Sequence, residues 1–174
     1  MRICVFDQSS KKTGYAIFDN SDLTRWGLLN FSDENTTETR IRLMSEKIAT
    51  IIARSKADVI IFEDVNQRNN PQVLITLSRL QGMIMFSCYE NEKDFAIYAP
   101  STWRRIVGIR QGSKIKREAL KEQAIAFVNQ SYGIKVGDDV AESICIGLAY
   151  LKQHNMLTDF KVKKKEKSNN GKEK

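Results

Sequence analysis

Asp7, Glu63, Asp139 and Glu142 are the residues whose types and positions are best suited to do chemistry in this chain. Asp7 follows the apolar run Ile3, Cys4, Val5, Phe6, and Glu63 follows Val59, Ile60, Ile61, Phe62, so each carboxylate ends a strand-length hydrophobic stretch. If those strands lie side by side, both acids emerge at one sheet edge. Asp139 and Glu142 stand three apart near the start of a helix and share one of its faces. Converging acids repel one another and lose hydration beside apolar neighbours, so such a set points to a cation that neutralises it. Hard oxygen donors suit magnesium, with manganese as a substitute. Two such ions about 4 Å apart activate a water and stabilise the leaving oxygen when a phosphodiester is cut. Each acid also has an ordinary reading, Asp139 as a residue favoured near a helix N-terminus and Glu63 as a strand end facing water. The metal-dependent reading rests on the four together.

Other chemistries lack material. His154 is the single histidine, which leaves little for serine–histidine or cysteine–histidine hydrolysis. Cys4, Cys88 and Cys145 are far apart in apolar surroundings and read as buried reduced thiols, which implies the cytoplasm. The stretch from Gly108 to Lys114 has the wrong glycine interval for a phosphate loop and follows a helix rather than a strand. The same region gathers Arg104, Arg105, Arg110, Lys114, Lys116, Arg117 and Lys121, either a phosphate-contacting surface or a solvated helix face. Trp103 and Cys145 read as core.

The elements that must position these residues follow from periodicity. Three antiparallel-type strands pass through Phe6, Phe18 and Leu28 to Phe31, and a helix starts at Thr37 with Ile41, Met44, Ile48, Ile51 and Ile52 at its apolar spacing. The Val59 run is a buried strand. Pro71 opens a helix to about Glu92 that is apolar over most of its circumference, so it needs cover on more than one side, and a homodimer contact is expected. Phe95 to Tyr98 is a fifth strand, Pro100 begins a short helix, Ile115 to Val128 forms another, and the last runs from Asp138 to His154.

The length of 174 residues suits a single domain, expected over 1–157, with 158–174 as a basic disordered tail. From Lys161 onward seven lysines face two glutamates, so residues 161–174 supply five of the net +7 charges and the folded body is nearly balanced. No apolar run approaches a membrane span and no export signal is visible after Met1.

These residues resemble the RuvC-type Holliday junction resolvases of the ribonuclease H-like superfamily over most of Arg2 to Leu151. Asp7-Gln8-Ser9-Ser10-Lys11-Lys12-Thr13-Gly14-Tyr15 looks like that family's first hairpin, and Glu63-Asp64-Val65 is similar to its Glu-x-Val. Tyr98-Ala99-Pro100-Ser101 with Trp103-Arg104-Arg105 and Val107-Gly108 resembles the segment after the fifth strand, and Asp139-Val140-Ala141-Glu142-Ser143 resembles the final helix.

The resemblance implies an α/β fold with a mixed five-stranded sheet flanked by helices, a homodimer, and magnesium-dependent endonuclease action on four-way DNA junctions. It implies Asp7, Glu63, Asp139 and Glu142 as metal ligands, and Lys116, with Lys114 beside it, as the basic residue at the scissile phosphate. Arg105, Arg110, Lys114, Lys116, Arg117 and Asn66 are the expected DNA contacts. Three departures stand out. Glu142 replaces the usual Asp, Asp138 offers a second alignment beside Asp139, and Asn66 stands where the family often carries a base-stacking aromatic, which implies relaxed sequence preference. The short, Lys- and Asn-rich chain is compatible with a phage or low-GC bacterial source. Alternatives are a ribonuclease H-like enzyme acting on RNA or RNA–DNA hybrid, a junction-binding protein that does not cut, and, more remotely, an actin-like or sugar-kinase ATPase.

Overall fold

The computed structural model describes residues 1–65 and 70–157, so Asn66 and the 158–174 tail lie outside the described residues. The elements are β1 (Arg2–Asp7), β2 (Lys12–Asp19), β3 (Asp22–Asn30), α1 (Thr37–Ser55), β4 (Val59–Glu63), α2 (Pro71–Glu90), β5 (Asp94–Tyr98), α3 (Pro100–Val107), α4 (Arg117–Tyr132) and α5 (Asp138–Gln153). The five strands form one sheet in the order β3-β2-β1-β4-β5. β1 pairs antiparallel with β2, and β2 with β3, whereas β1–β4 and β4–β5 are parallel. The expected mixed sheet is therefore present, and β1 lies at its centre with β4 beside it.

Alternation along the strands divides the core into two layers. Ile3 and Val5 of β1 pack with Ala16, Phe18 and Ile61 against Ile144, Leu148 and Leu151 of α5. Cys4 and Phe6 point the other way, with Ile60 and Phe62, onto Met44, Ile48 and Ile52 of α1 and Leu80 and Ile84 of α2. β1 and β4 are thus covered on both faces, which is why they read as continuous apolar runs. α5 settles into the sheet at Gly147, where an added Cβ would lie 2.4 Å from the Phe18 ring.

Helix ends follow local signals. The Thr36 side chain accepts from the Thr39 N–H to start α1, and Asn70 accepts from Gln72 N–H ahead of Pro71 to start α2. α4 begins at Arg117, two residues after the expected Ile115, because Lys116 takes the extended backbone of an N-cap (φ −70°, ψ 157°), and the Ile115 N–H donates to the Gly112 carbonyl at 3.0 Å in the turn before it. β3 ends at Asn30 rather than Phe31, although Phe31 N–H still donates to the Lys11 carbonyl. α2 has Leu80 and Ile84 buried, while Ile75, Met83, Phe86 and Tyr89 are exposed. Cys4, Cys88 and Cys145 are free and buried, as expected. Among the described residues no helix is long and apolar enough to cross a membrane.

Candidate active site

Asp7 is the last residue of β1 and stands opposite Gly14 of β2 in the register. The turn between them is held by Ser9 N–H donating to Thr13 Oγ1 at 3.1 Å and by Thr13 Oγ1–H donating back to the Ser9 carbonyl at 2.9 Å. Gly14 carries the backbone of α5: a Cβ there would sit 1.9 Å from the Asp139 carbonyl oxygen. Only a residue without a side chain lets the start of α5 reach the rung that bears Asp7.

Glu63, at the end of β4, is fixed by Gln8. The last ladder pair of β1 and β4 is Phe6 with Phe62, and beyond it the Glu63 N–H donates to Gln8 Oε1 at 3.1 Å while Gln8 Nε2 donates to the Glu63 carbonyl. The buried amide side chain thereby continues the sheet by one rung and holds the Glu63 backbone next to Asp7. The Trp103 indole N–H donates to Glu63 Oε1 at 2.8 Å.

Glu142, buried on the second turn of α5, is ion-paired to Arg104 at 3.3 Å. Asp138 and Asp139 have separate fates. Asp138 hydrogen-bonds to Lys121 of α4, which lowers its carboxyl below the usual range. Asp139 turns into the cleft, where burial and then the Asp138 charge raise its carboxyl. The Asp7 carboxyl is raised well above the ordinary carboxylate range, first by burial and then by the charges of Glu63, Glu142 and Asp139, with Lys121 opposing them. Among the described residues no hydrogen-bond donor is directed at the Asp7 carboxylate.

All four predicted acids line one open cleft of about 390 Å³. Its basic members are Lys11, Arg40, Arg104 and Arg117. Of the predicted DNA contacts, Arg117 lines this cleft. Lys116 is exposed at the N-cap of α4 and Lys114 is exposed in the preceding loop, both outside the lining. Arg105 and Arg110 flank a separate shallow hollow that also includes Gly108 and Gly112. Trp103 is fully buried, as expected of core, but its hydrogen bond to Glu63, the Arg104–Glu142 pair and the Gln8 bridge were not foreseen. The basic count around Arg104 signalled only a surface, and no local spacing links Gln8 to Glu63 across 55 residues. Among the described residues no three His, Cys, Asp or Glu side chains stand close enough to enclose an ion as they are.

A sequence model of the family "crossover junction endodeoxyribonuclease RuvC" matches residues 3–146, which takes in all four acids. The chain belongs to this family. RuvC relatives of that name include the protein of Fusobacterium nucleatum, 22% identical over 155 residues covering 87% of this chain and 80% of the relative. The Salinibacter ruber RuvC is 23% identical over 152 residues, covering 84% and 85% of the two chains. Among solved structures, Thermus thermophilus RuvC in complex with a Holliday junction substrate superposes with a TM-score of 0.71 at 12% identity, covering 90% of this chain and 96% of that one. The yeast mitochondrial Holliday junction resolvase Ydc2 superposes at 0.59 with 15% identity, covering 88% and 79%. The ribonuclease H-like fold expected from the sequence is the observed one, and the protein is a RuvC-type endodeoxyribonuclease that depends on divalent metal, as its family does.

Proposed function

We propose that Asp7, Glu63, Asp139 and Glu142 hold magnesium, or manganese in its place, and that this cleft nicks four-way DNA junctions. The observation that carries the reading is Asp7: a carboxyl deep in the cleft, crowded by three other acids and offered no hydrogen-bond donor among the described residues. Hard, all-oxygen donors with an unmatched negative charge fit a divalent cation of that class. When bound, such ions supply a nucleophilic water and stabilisation for the leaving oxygen.

The chain's own residues have other tasks. Gln8 and the β1–β4 pairing fix the backbones that carry Asp7 and Glu63, and the Gly14 contact fixes Asp139. Lys11, Arg40 and Arg117 border the acids and would grip the phosphates on either side of the cut, which positions the strand without reading its sequence. Lys116, Lys114, Arg105 and Arg110 would extend that contact along the duplex arms, with the basic tail adding phosphate attraction that is weak at high salt.

The active species in this reading is a homodimer joined through the exposed apolar side of α2, so that two clefts make paired cuts. Its place of work is the cytoplasm. Asn66, in place of an aromatic side chain, implies relaxed sequence preference and a wider range of branched substrates.

The test is cleavage of a synthetic four-way junction. Wild-type protein with magnesium should cut it, and EDTA or Asp7→Asn should abolish cutting while junction binding persists. Equal cutting by wild type and Asp7→Asn would overturn the assignment. Preferential cutting of an RNA–DNA hybrid in competition would move the substrate class. A panel of junctions differing at the crossover should be cut with less than tenfold variation in rate.

A further inference from the structure

Two consecutive residues of α3 reach two of the four acids. Trp103 donates to Glu63 Oε1 at 2.8 Å and Arg104 pairs with Glu142 Oε1 at 3.3 Å. The two side chains also hold each other, with the Arg104 guanidinium 4.8 Å from the centre of the Trp103 ring. The path that brings them there is short. Tyr98, the last residue of β5, pairs with Glu63 in the parallel ladder, and the Asp64 N–H donates to the Tyr98 carbonyl at 2.9 Å. The chain then turns through Ala99 and Pro100 into α3, so the side chain one turn into that helix returns to Glu63.

From this arrangement we propose that Trp103 is a positioning residue for metal binding, its indole N–H setting the orientation of the Glu63 carboxylate, with Arg104 as its brace against Glu142. Burial alone does not require a tryptophan here. A fully buried indole needs a hydrogen-bond acceptor, and an apolar residue would fill the same space without that demand. The acceptor chosen is a carboxyl oxygen of a side chain that lines the cleft, and the bond is directional. A hydrogen bond to one carboxyl oxygen narrows the rotamers that a strand-end Glu adopts. The indole bond thereby favours one orientation of the Glu63 carboxyl in advance of the ion.

Arg104 is constrained in turn. Its side chain is 17% exposed, its Nε is buried without a hydrogen-bond partner among the described residues, and the Trp103 ring limits where the guanidinium can lie. Outer groups that orient metal ligands typically contribute a factor of about 10–100 in metal affinity. The inference rests on the assignment of Glu63 as a ligand made above.

The experiment compares manganese binding by calorimetry, in full-length protein without DNA, for wild type, Trp103→Phe and Glu63→Gln. Trp103→Phe keeps an aromatic ring and removes the N–H. It should weaken manganese binding about tenfold or more, and reduce kcat at low manganese with recovery at saturating manganese, while the KM for junction is unchanged. Manganese affinity within twofold of wild type would overturn the proposal. If Glu63→Gln loses binding while Trp103→Phe does not, the positioning role alone fails; if Glu63→Gln binds as wild type does, the ligand assignment fails with it.

A second measurement decides the case in which Trp103→Phe does not fold. In Trp26→Phe protein, Trp103 is the sole tryptophan. Saturating magnesium should shift its emission, because the indole's acceptor changes its charge environment, and the shift should vanish in the Trp26→Phe, Glu63→Gln double variant. No shift in the single variant, or an equal shift in both, would overturn the proposal.

Discussion

Gly14 and Asp139 meet backbone to backbone, so closely that a Cβ on Gly14 would lie 1.9 Å from the Asp139 carbonyl oxygen. The contact ties the hairpin that carries Asp7 to the helix that carries Asp139 and Glu142. It also gives the Thr13-Gly14 pair a physical reason: Thr13 closes the turn with its hydroxyl and Gly14 admits the helix.

Gly14→Ala should therefore damage the site more than its single methyl group suggests. The obstacle is backbone on both sides, so α5 must move, and a stability loss of about 1–3 kcal/mol is expected. Urea unfolding measures that loss. Junction cleavage by the folded fraction should fall at least tenfold, because Asp139 leaves its place. A variant as active as wild type per folded molecule would show that the contact does not set the acid's position.

Asp138 and Asp139 should differ sharply. Asp138 is engaged by Lys121 on the neighbouring helix, whereas Asp139 lines the cleft with Asp7. Asp138→Asn should retain cutting within a few-fold and cost less than about 1 kcal/mol, the scale of a partly exposed ion pair. Asp139→Asn should lose cutting by a factor of a hundred or more and keep junction binding. Single-turnover cleavage with both variants is the measurement, and the reverse ranking would mean that Asp138 is the ligand.

The acids also predict how the metal-free protein responds to pH. Burial and the charges of Glu63, Glu142 and Asp139 raise the Asp7 carboxyl in the folded state. The folded chain then holds that proton more tightly than the unfolded chain does. Stability from this group is fully present below the ordinary aspartate range, near pH 4, and is lost as pH rises through the raised value. In EDTA, the melting temperature of wild type should fall more steeply with rising pH than that of Asp7→Asn, and at pH 8 the variant should be the more stable. Magnesium should raise wild type and leave Asp7→Asn little changed. Parallel pH curves in EDTA would remove the repulsion argument.

Much of this site was legible beforehand for a definite reason. Asp7 and Glu63 end buried parallel strands, and a strand covered on both faces leaves an apolar run whose end is visible in the sequence. Asp139 and Glu142 share a helix face by simple spacing, although choosing Asp139 over Asp138 needed Lys121, which approaches from another helix. The contacts that hold the acids were less visible. Gln8 imitates a rung of sheet, and Trp103 looks like any large core residue until its N–H finds Glu63, because a hydrogen bond between elements leaves no period in the chain. The start of α4 falls two residues after Ile115 because Lys116, the N-cap, has extended backbone (φ −70°, ψ 157°), which the apolar spacing of the helix does not reveal.

The exposed side of α2 leads to the last prediction. Ile75, Met83, Phe86 and Tyr89 fall within about 120° of the helix circumference at a rise of 100° per residue, on the side opposite Leu80 and Ile84. Phe86 is 56% and Tyr89 66% exposed, an apolar surface large enough to invite a partner. A second copy of the chain would cover it and supply the second cleft. Phe86→Glu should leave the fold intact, since the side chain contributes little to the core, and shift the protein from dimer to monomer in sedimentation velocity. A central aromatic of this kind is worth roughly 2 kcal/mol or more at an interface, about a thirtyfold weaker association. The monomer should convert paired cuts on a junction into single nicks, and a Phe86→Glu protein that dimerises as tightly as wild type would exclude this face as the contact.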